Sequence, residues 1–258
     1  MFEATFLEVY RSCYNPKTMT AHYTIHKVYP TYMKSFRRTT WDRDNLITPA
    51  EEALFTNGNI FERFGLILNA GRGKYLTSKR VNAFDRGHLA PSADFTFFKV
   101  LGLTNKYLNA IAQSASINRG KWSKLENSVR GLLKDPRLPM YNDVLKVCTG
   151  GLGILKLQDA NDHPTEIFLY EKMVTPSWST VLQIPVPEWV YKIVSHSSSN
   201  TKLVILVNNN HWDPAESDPK SVCQKQACPQ ELYKAKNIFC CNYIQFIANI
   251  VPRLSGLC

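Results

Sequence analysis

Residues 85–95 read Asp85-Arg86-Gly87-His88-Leu-Ala-Pro-Ser-Ala-Asp-Phe, which places an imidazole two positions after a guanidinium. His88 is the residue of this stretch whose ordinary pKa allows it to accept a proton near neutral pH. Arg86 offers a planar set of donors that matches the oxygens of a phosphate. Gly87, between them, favours a sharp turn of the backbone. A histidine alone is more often a core or surface residue than a catalyst, but together these residues predict chemistry directed at phosphate.

A second group of polar residues follows closely along the chain. Asn109 and Gln113 are four positions apart, and residues 118–130 read Asn-Arg-Gly-Lys-Trp-Ser-Lys-Leu-Glu-Asn-Ser-Val-Arg. From Trp122 onward the apolar residues recur at the spacing of one helical face. Residues 118, 122, 126 and 130 are four apart, so a helix would line an amide, an indole, a carboxylate and a guanidinium along one side. Such a row can hold a hard metal ion and a phosphate together.

Each residue of the row also has an ordinary structural explanation. Asn118 could cap the helix, and Glu126 with Arg130 could form an exposed ion pair that contributes ~0.3–0.5 kcal/mol. Trp122 could be a core anchor. The joint occurrence of the His88 stretch, an isolated Asn and this helix favours a functional site over these explanations.

On these motifs the chain resembles the DNA/RNA non-specific endonucleases, a family of sugar-non-specific nucleases that includes endonuclease G and secreted bacterial and arthropod enzymes. Members carry Asp-Arg-Gly-His, then Asn-x-x-x-Gln and Asn-x-Gly-x-Trp-x-x-x-Glu, which stand here at 85–88, 109–113 and 118–126. The cysteine-rich C-terminal region and Cys13-Tyr-Asn most resemble the secreted arthropod branch, some of which are described as double-stranded RNases. The resemblance implies an α+β fold, in which helices flank a central, mainly antiparallel β-sheet and a ββα-metal finger forms the active site.

The resemblance also implies a role for each matched residue. His88 is expected to be the general base that takes a proton from the attacking water, so its neutral form must dominate. Asn118 is expected to be the direct protein ligand of Mg²⁺, with Mn²⁺ as a substitute, because magnesium prefers oxygen ligands and keeps most of its waters. The ion would neutralise charge on the cleaved phosphate and stabilise the departing 3′ oxygen. Glu126 is expected to hold metal-bound water, and Arg86 and Arg130 to bind phosphate oxygens.

Further residues follow from the same resemblance. Four motif residues are expected to support the site or to contact substrate: Asp85, Asn109, Gln113 and Trp122. Upstream, Arg38-Thr-Thr-Trp-Asp-Arg-Asp44 matches a family pattern of Arg, two residues, an aromatic, two residues and Asp. Arg38 would stabilise the charge that develops in the pentavalent transition state. Arg37 adjoins it and Arg72 competes for the role, so the choice among the three arginines stays open.

Length and composition predict one nuclease domain with a basic surface. The 258 residues are 44% hydrophobic, which suffices for one sizeable core, and no linker, repeat or low-complexity tract divides residues 1–258. The formal net charge of +10 suits a polyanionic partner, here DNA and RNA, because lysines and arginines displace counterions from a phosphate backbone. No stretch reaches the ~20 apolar residues that span a bilayer, so no membrane partner is expected.

Cysteine usage favours an oxidising compartment, so we expect a secreted, extracellular protein. Five of the seven cysteines fall within residues 223–258, with Cys13 and Cys148 far upstream. We expect most to form disulfides, with at least one thiol left over, and a bond from Cys13 to a distant partner to contribute ~3–5 kcal/mol. A zinc site is disfavoured because the cysteines lack the paired spacing of zinc ligands. The first ten residues do not resemble a signal peptide, so we expect it to be removed or truncated.

Short runs of β-branched and aromatic residues predict strands at 21–28, 144–147, 167–170, 181–184, 189–194 and 203–207. Helices are predicted at 104–114, 121–133 and 238–250, and irregular chain at 30–54 and 208–231.

The leading hypothesis is a Mg²⁺-dependent endonuclease that hydrolyses phosphodiester bonds in DNA and RNA and leaves 5′-phosphate ends. Little sequence preference is expected, because contacts to phosphate and sugar carry no sequence information. A preference for double-stranded RNA stays open, since no residue pattern identifies a reader of the 2′-hydroxyl. The alternative is a catalytically inactive nucleic-acid-binding protein on the same fold.

Overall fold

A seven-stranded antiparallel sheet forms the centre of the fold. The computed structural model describes residues 8–30, 40–95, 101–172, 182–213, 215 and 217–258. The strands of the central sheet are β1 Tyr10–Asn15, β2 Thr20–Val28, β5 Leu145–Leu152, β10 Trp189–His196, β11 Thr201–Asn208, β12 Lys225–Gln226 and β13 Ile238–Cys241. Their spatial order is β1-β2-β5-β10-β11-β13-β12, and each neighbouring pair is antiparallel.

Smaller sheets and short helices surround this centre. The paired strands are β3 Phe84–His88 with β4 Ala110–Ser114, β6 Lys156–Gln158 with β7 Pro164–Glu166, and β8 Phe168–Lys172 with β9 Leu182–Pro185. The helices are α1 Pro49–Ala53, α2 Asn57–Leu68, α3 Leu101–Thr104, α4 Ala115–Ile117, α5 Ser123–Leu132 and α6 Tyr243–Asn249. A single π-helical turn, Asn118–Trp122, joins α4 to α5 and makes one continuous helical segment. Such turns are frequent at functional sites.

The two faces of the central sheet bury different helices. Ile205 of β11 lies in one hydrophobic cluster with Leu125 of α5, whereas its neighbour Leu206 lies in another cluster with Phe246 of α6. This alternation follows from the two-residue period of a strand. The helices α5 and α6 therefore lie on opposite faces of the sheet.

The strand β4 lies between two cores. All five of its residues are buried; Ile111 belongs to the cluster around α5, and Ala112 belongs to a third cluster that includes Phe64 of α2 and Phe84 of β3. The β3–β4 pair is thus held from both sides, although it forms no part of the central sheet.

The α+β architecture and the mainly antiparallel sheet confirm the predicted fold class. The predicted strands are present within the described residues, but the helix predicted at 104–114 is wrong beyond Thr104, because 110–114 is the strand β4. A strand buried on both faces shows no alternation, so its apolar run resembles a buried helix. The helix predicted at 238–250 begins only at Tyr243, after the strand β13 and the N-cap Asn242. Within the described residues no helix has the length and apolarity needed to cross a membrane.

Six of the seven cysteines form disulfides, which confirms that prediction. The bonds are Cys148–Cys258, Cys223–Cys241 and Cys228–Cys240. Cys13 is a free thiol in β1, so the expected bond from it to a distant partner is wrong. The longest closure instead joins Cys148 to Cys258, a separation of 110 residues, and is worth about 4–5 kcal/mol on the chain-entropy model.

Candidate active site

The strands β3 and β4 bring the first two motifs together. They pair antiparallel with Asp85 opposite Gln113, Gly87 opposite Ile111 and His88 opposite Ala110. Gly87 lies within β3 and not in the sharp turn expected for it. Its role is close packing, because a Cβ at this position would lie 2.3 Å from Oε1 and 2.6 Å from Cβ of Gln113. After β4, the hydroxyl of Ser114 caps α4 and starts the helical segment that carries the third motif.

Asp85 holds the amide of Asn118. Nδ2 of Asn118 donates to Oδ2 of Asp85 at 2.9 Å, and Nδ2 of Asn82 donates to Oδ1 at 2.8 Å. Arg119 adds a bidentate pair at 2.9 and 2.7 Å. Burial alone would raise the pKa of Asp85, but these hydrogen bonds, with that from Arg119 foremost, bring the pKa below its ordinary value. Because the amide nitrogen of Asn118 faces Asp85, its oxygen is the atom that the residue can offer to a cation.

Asn105 orients the imidazole of His88. Nε2 of His88 lies 2.7 Å from Oδ1 of Asn105. With an amide oxygen as acceptor, Nε2 carries the proton and Nδ1 keeps its lone pair. The ring of Trp41 lies 4.8 Å from that of His88, centroid to centroid. Burial lowers the pKa of His88, while the hydrogen bond that its ring donates to Asn105 opposes the shift. His88 is therefore neutral near pH 7 and can accept a proton at Nδ1.

Arg86 shares one face of β3 with His88, since the two residues are separated by one strand period. Its guanidinium lies 5.2 Å from the ring of Trp41. Nη1 donates to the hydroxyl of Tyr107 at 2.7 Å, and this hydroxyl donates to Oε1 of Glu52 at 2.9 Å. Burial is the main cause that raises the pKa of Tyr107 to about 12, so the hydroxyl keeps its proton. The contacts fix Arg86 while its side chain stays 32% exposed, which leaves donors available to a phosphate.

Glu126 and Arg130 belong to a network of buried charges and not to an exposed ion pair. Nη1 of Arg130 donates to Oδ1 of Asp94 at 2.5 Å, and Nε2 of His26 lies 2.8 Å from the other oxygen of Asp94. Lys192 of β10 is 1% exposed, and its Nζ faces the ring of Trp122 in the helical segment that carries Glu126. Burial raises the pKa of Glu126 to about 7, the charge of Asp94 adds to this, and the charges of Lys192 and Arg130 oppose it. Glu126 therefore titrates close to neutral pH.

The remaining motif residues support the framework of the site. Asn109 is fully buried; its oxygen accepts from the amide of Ala90 at 2.8 Å, and its nitrogen donates to the carbonyls of Ala90 and Thr104. Gln113 is fully buried against Gly87, and Trp122 is 1% exposed. Because these three side chains are buried, a role in supporting the site is favoured over direct contact with substrate.

Among the candidates for the upstream arginine, only Arg72 lies within the described residues. Arg37 and Arg38 lie outside the described residues. Arg72 lies over the ring of Phe61 in α2, 4.0 Å from its centroid. Trp41, from the same pattern as Arg38, contacts both His88 and Arg86. Of that pattern, the structure therefore describes Trp41 at the site.

The sequence interpretation did not identify the partners of the motif residues. They are Asn82 and Arg119 around Asp85, Asn105 and Trp41 at His88, Glu52 and Tyr107 at Arg86, and His26, Asp94 and Lys192 below Glu126. Asp94 could have been found, because it lies within the 85–95 stretch and is an acid in a largely apolar context. Asn82, Arg119 and Trp41 lie in or next to the quoted motifs, whereas the remaining partners come from segments with no local signal of a role.

Comparisons with known proteins identify the family of the chain. The family model for DNA/RNA non-specific endonuclease matches residues 3–239. A salivary endonuclease of Lutzomyia longipalpis is 26% identical over 262 residues, which cover 96% of this chain and 59% of that protein. A mitochondrial nuclease of Saccharomyces cerevisiae is 29% identical over 189 residues, which cover 72% of this chain and 48% of that protein. The chain therefore spans only about half of the length of these curated relatives.

A solved structure extends the comparison to the fold. The crystal structure of the EndoG/EndoGI complex aligns with a TM-score of 0.50 at 19% identity and covers 84% of this chain and 81% of that one. This likeness indicates a shared fold. Since the family model matches nearly the whole sequence, the chain belongs to the DNA/RNA non-specific endonuclease family.

Proposed function

We propose that the chain is a Mg²⁺-dependent endonuclease that hydrolyses phosphodiester bonds in both DNA and RNA and leaves 5′-phosphate ends. The observation that carries the proposal is the pair of Arg86 and His88 on one face of β3. His88 is neutral and held by Asn105 with Nδ1 available, and Arg86 is fixed by Tyr107. A proton acceptor next to a phosphate-binding guanidinium is what hydrolysis of a phosphodiester by water requires.

In this mechanism His88 removes a proton from the attacking water through Nδ1. The proton on Nε2 stays on that nitrogen and is donated in a hydrogen bond to Oδ1 of Asn105, which holds the ring in one orientation during the transfer. Arg86 binds a non-bridging oxygen of the phosphate, where charge increases in the transition state. Arg130 is held by Asp94 at 2.5 Å, so we assign it a weaker role in phosphate binding than Arg86. Arg38 supplies further charge in the transition state, and the place of Trp41 supports this choice over Arg72.

The donor set near the motifs fits magnesium. The amide oxygen of Asn118 is a hard ligand that Asp85 orients, and an ion that keeps most of its waters needs few protein ligands. No group of three or more His, Cys, Asp or Glu residues within the described parts of the chain could hold a metal, which disfavours a zinc-type cage. When bound at Asn118, the ion would neutralise charge on the phosphate and on the leaving oxygen. Ionised Glu126 would orient water bound to the ion. Mn²⁺ is expected to substitute for Mg²⁺.

Three finer points belong to the same proposal. Substrates include single- and double-stranded nucleic acid, because the site residues address phosphate and not bases. Double-stranded RNA is a substrate to be tested first, on the resemblance to the arthropod branch. The three disulfides support a secreted protein, since such bonds persist in oxidising compartments.

The test compares the wild type with His88→Ala on plasmid DNA and on double-stranded RNA, with Mg²⁺ or with a chelator. His163→Ala is the matched control, because the side chain of His163 is 76% exposed and lies outside the site. We expect wild type and control to cut both substrates only with Mg²⁺, and His88→Ala to lose at least about 100-fold in rate. If the wild type and His88→Ala both bind nucleic acid and neither cuts it, the alternative of a catalytically inactive binding protein would be favoured.

The metal ligand has its own test. Asn118→Ala should abolish cleavage with little recovery at high Mg²⁺, while binding of a duplex in chelator stays unchanged. A variant with a near-normal rate at low Mg²⁺ would refute the ligand assignment. The 5′-phosphate is tested by ligation of the products, which succeeds without added kinase only if the proposed bond is broken. Arg38→Ala should lower turnover more than affinity; an unchanged turnover would transfer the role to Arg72.

A further inference from the structure

The loop closed by the Cys228–Cys240 disulfide packs along α5 and the turn before it. The amide of Tyr233 donates to the hydroxyl of Ser128 at 3.1 Å. Nζ of Lys121 donates to the carbonyl of Lys236 at 2.8 Å, and Nζ of Lys124 lies 5.3 Å from the ring centroid of Tyr233. The buried Leu232 and the disulfide anchor the loop in the cluster below α5. Lysines from two distant segments are thereby held side by side.

We call Lys121, Lys124, Lys234 and Lys236 the basic ledge. Lys124, Lys234 and Lys236 are exposed. Within the parts of the chain that the structure describes, Lys121, Lys124 and Lys234 form no ion pair with a carboxylate. Positive charges held together in this way favour a partner with several regularly spaced negative charges.

The ledge lies beside the candidate active site and not within it. Residues 121, 124 and 128 share one side of the helical segment, whereas Glu126 and Arg130 point to the charged network on another side. A helix with its side chains is about 10–12 Å across. Phosphates recur about every 3.4 Å along each strand of a duplex, so a duplex bound at the site carries further phosphates within one helix width of the cleaved bond.

We propose that the basic ledge binds the phosphate backbone of a polynucleotide, away from the bond that is cleaved. This inference rests on the proposed function, because it concerns the same substrate. The contact is independent of sequence, since lysines address phosphates and not base edges. The ring of Tyr233 and the disulfide keep the ledge in place before substrate arrives. The ledge therefore contributes affinity for long substrates and has no part in bond cleavage.

Direct binding tests the ledge without cleavage. The variants Lys124→Ala and Lys234→Ala are compared with Lys202→Ala, whose Nζ lies 4.5 Å from the ring centroid of Tyr243 on the α6 side of the sheet. The control thus removes an equal charge from a similar lysine and tyrosine pair. Binding of a fluorescent duplex of about 30 base pairs in chelator is followed from low to high salt. Each ledge variant should lower the slope of log affinity against log salt by about 0.9, which is about an 8-fold loss at 0.1 M salt, and the control should not.

Cleavage of two substrates separates the ledge from the catalytic groups. The double variant Lys124→Ala/Lys234→Ala should raise KM for long double-stranded RNA with unchanged kcat, and should leave kcat/KM for a dinucleotide unchanged. An unaltered salt slope, or an equal loss on the dinucleotide, would overturn the proposal. If the wild type cuts neither substrate but the ledge variants still bind the duplex more weakly, the ledge stands and the proposed function fails.

Discussion

Replacement of Gly87 by alanine tests how closely β3 and β4 must approach. The added Cβ would lie 2.6 Å from Cβ and 3.1 Å from Cδ of Gln113. Carbon atoms in contact prefer about 3.5–4.0 Å, so the first distance is roughly 1 Å too short. The Cβ of Gln113 is fixed to the backbone of β4 and cannot rotate away, so the strands must move apart. Overpacking of this kind costs about 1–3 kcal/mol, and we expect a value near the upper end.

The free energy of unfolding of Gly87→Ala is measured in urea and compared with that of a control variant in which another glycine is replaced by alanine. Gly131→Ala in α5 is suitable, because a Cβ at Gly131 has no atom within 4 Å. There the removal of a helical glycine should raise the free energy of unfolding by about 0.5–1 kcal/mol. Gly87→Ala should also lower cleavage at temperatures where the protein stays folded, because Arg86 and His88 flank the altered position.

A double variant decides whether Gln113 is the cause. Gly87→Ala/Gln113→Gly removes all three atoms that the new methyl group would meet. If the two single changes acted independently, their losses of unfolding free energy would add. The double variant should be more stable than that sum predicts by more than 1 kcal/mol. If Gly87→Ala unfolds at the same urea concentration as the wild type, the close-packing explanation of this glycine is wrong.

Three further predictions concern the polar groups of the site. Asn105→Ala should lower kcat by about 10-fold or more and lower the pKa of His88 further, measured from the pH dependence of kcat/KM; an unchanged rate would show that His88 needs no orienting partner. Asp94→Asn leaves Arg130 without its buried counter-charge and should lower the free energy of unfolding by about 3–5 kcal/mol; a loss below 1 kcal/mol in urea melts would contradict this. In the proposed mechanism, cleavage needs ionised Glu126, with a pKa of about 7, and neutral His88, with a pKa lowered from 6.5, so the rate should fall as pH drops through about 7. Glu126→Gln should abolish the fall near pH 7 and leave a fall at lower pH, and a pH profile identical to that of the wild type would refute the assignment.

The motifs from 85 to 130 were sufficient to predict the family and the fold class, because both are encoded locally in residue type and spacing. Strands such as β10 and β11 were predictable because β-branched runs mark a buried sheet. The strand β4 was not, since burial on both faces removes the alternation that distinguishes strand from helix. The free state of Cys13 was also beyond the sequence, because spacing does not determine which sulfurs meet in space.

The contacts that tune the site were the least predictable part. The charge network below Glu126 joins residues of β2, α5 and β10 with Asp94, and His26 and Asp94 are 68 positions apart. Such pairs depend on the complete topology and on distances within it. The motif residues thus identify the chemistry, whereas the pKa of Glu126 and the tautomer of His88 follow only from the folded neighbours.

The adjacent cysteines of β13 point to opposite faces of the central sheet, Cys240 toward Cys228 and Cys241 toward Cys223. A slip of this strand by one position would exchange the two sulfurs between the faces and leave each beside the wrong partner. Oxidation in the native alignment makes the slip impossible until a bond is reduced. The doublet therefore acts as a covalent check on strand alignment, and a protein refolded from the reduced state should yield a distinct, mispaired isomer whenever this check fails.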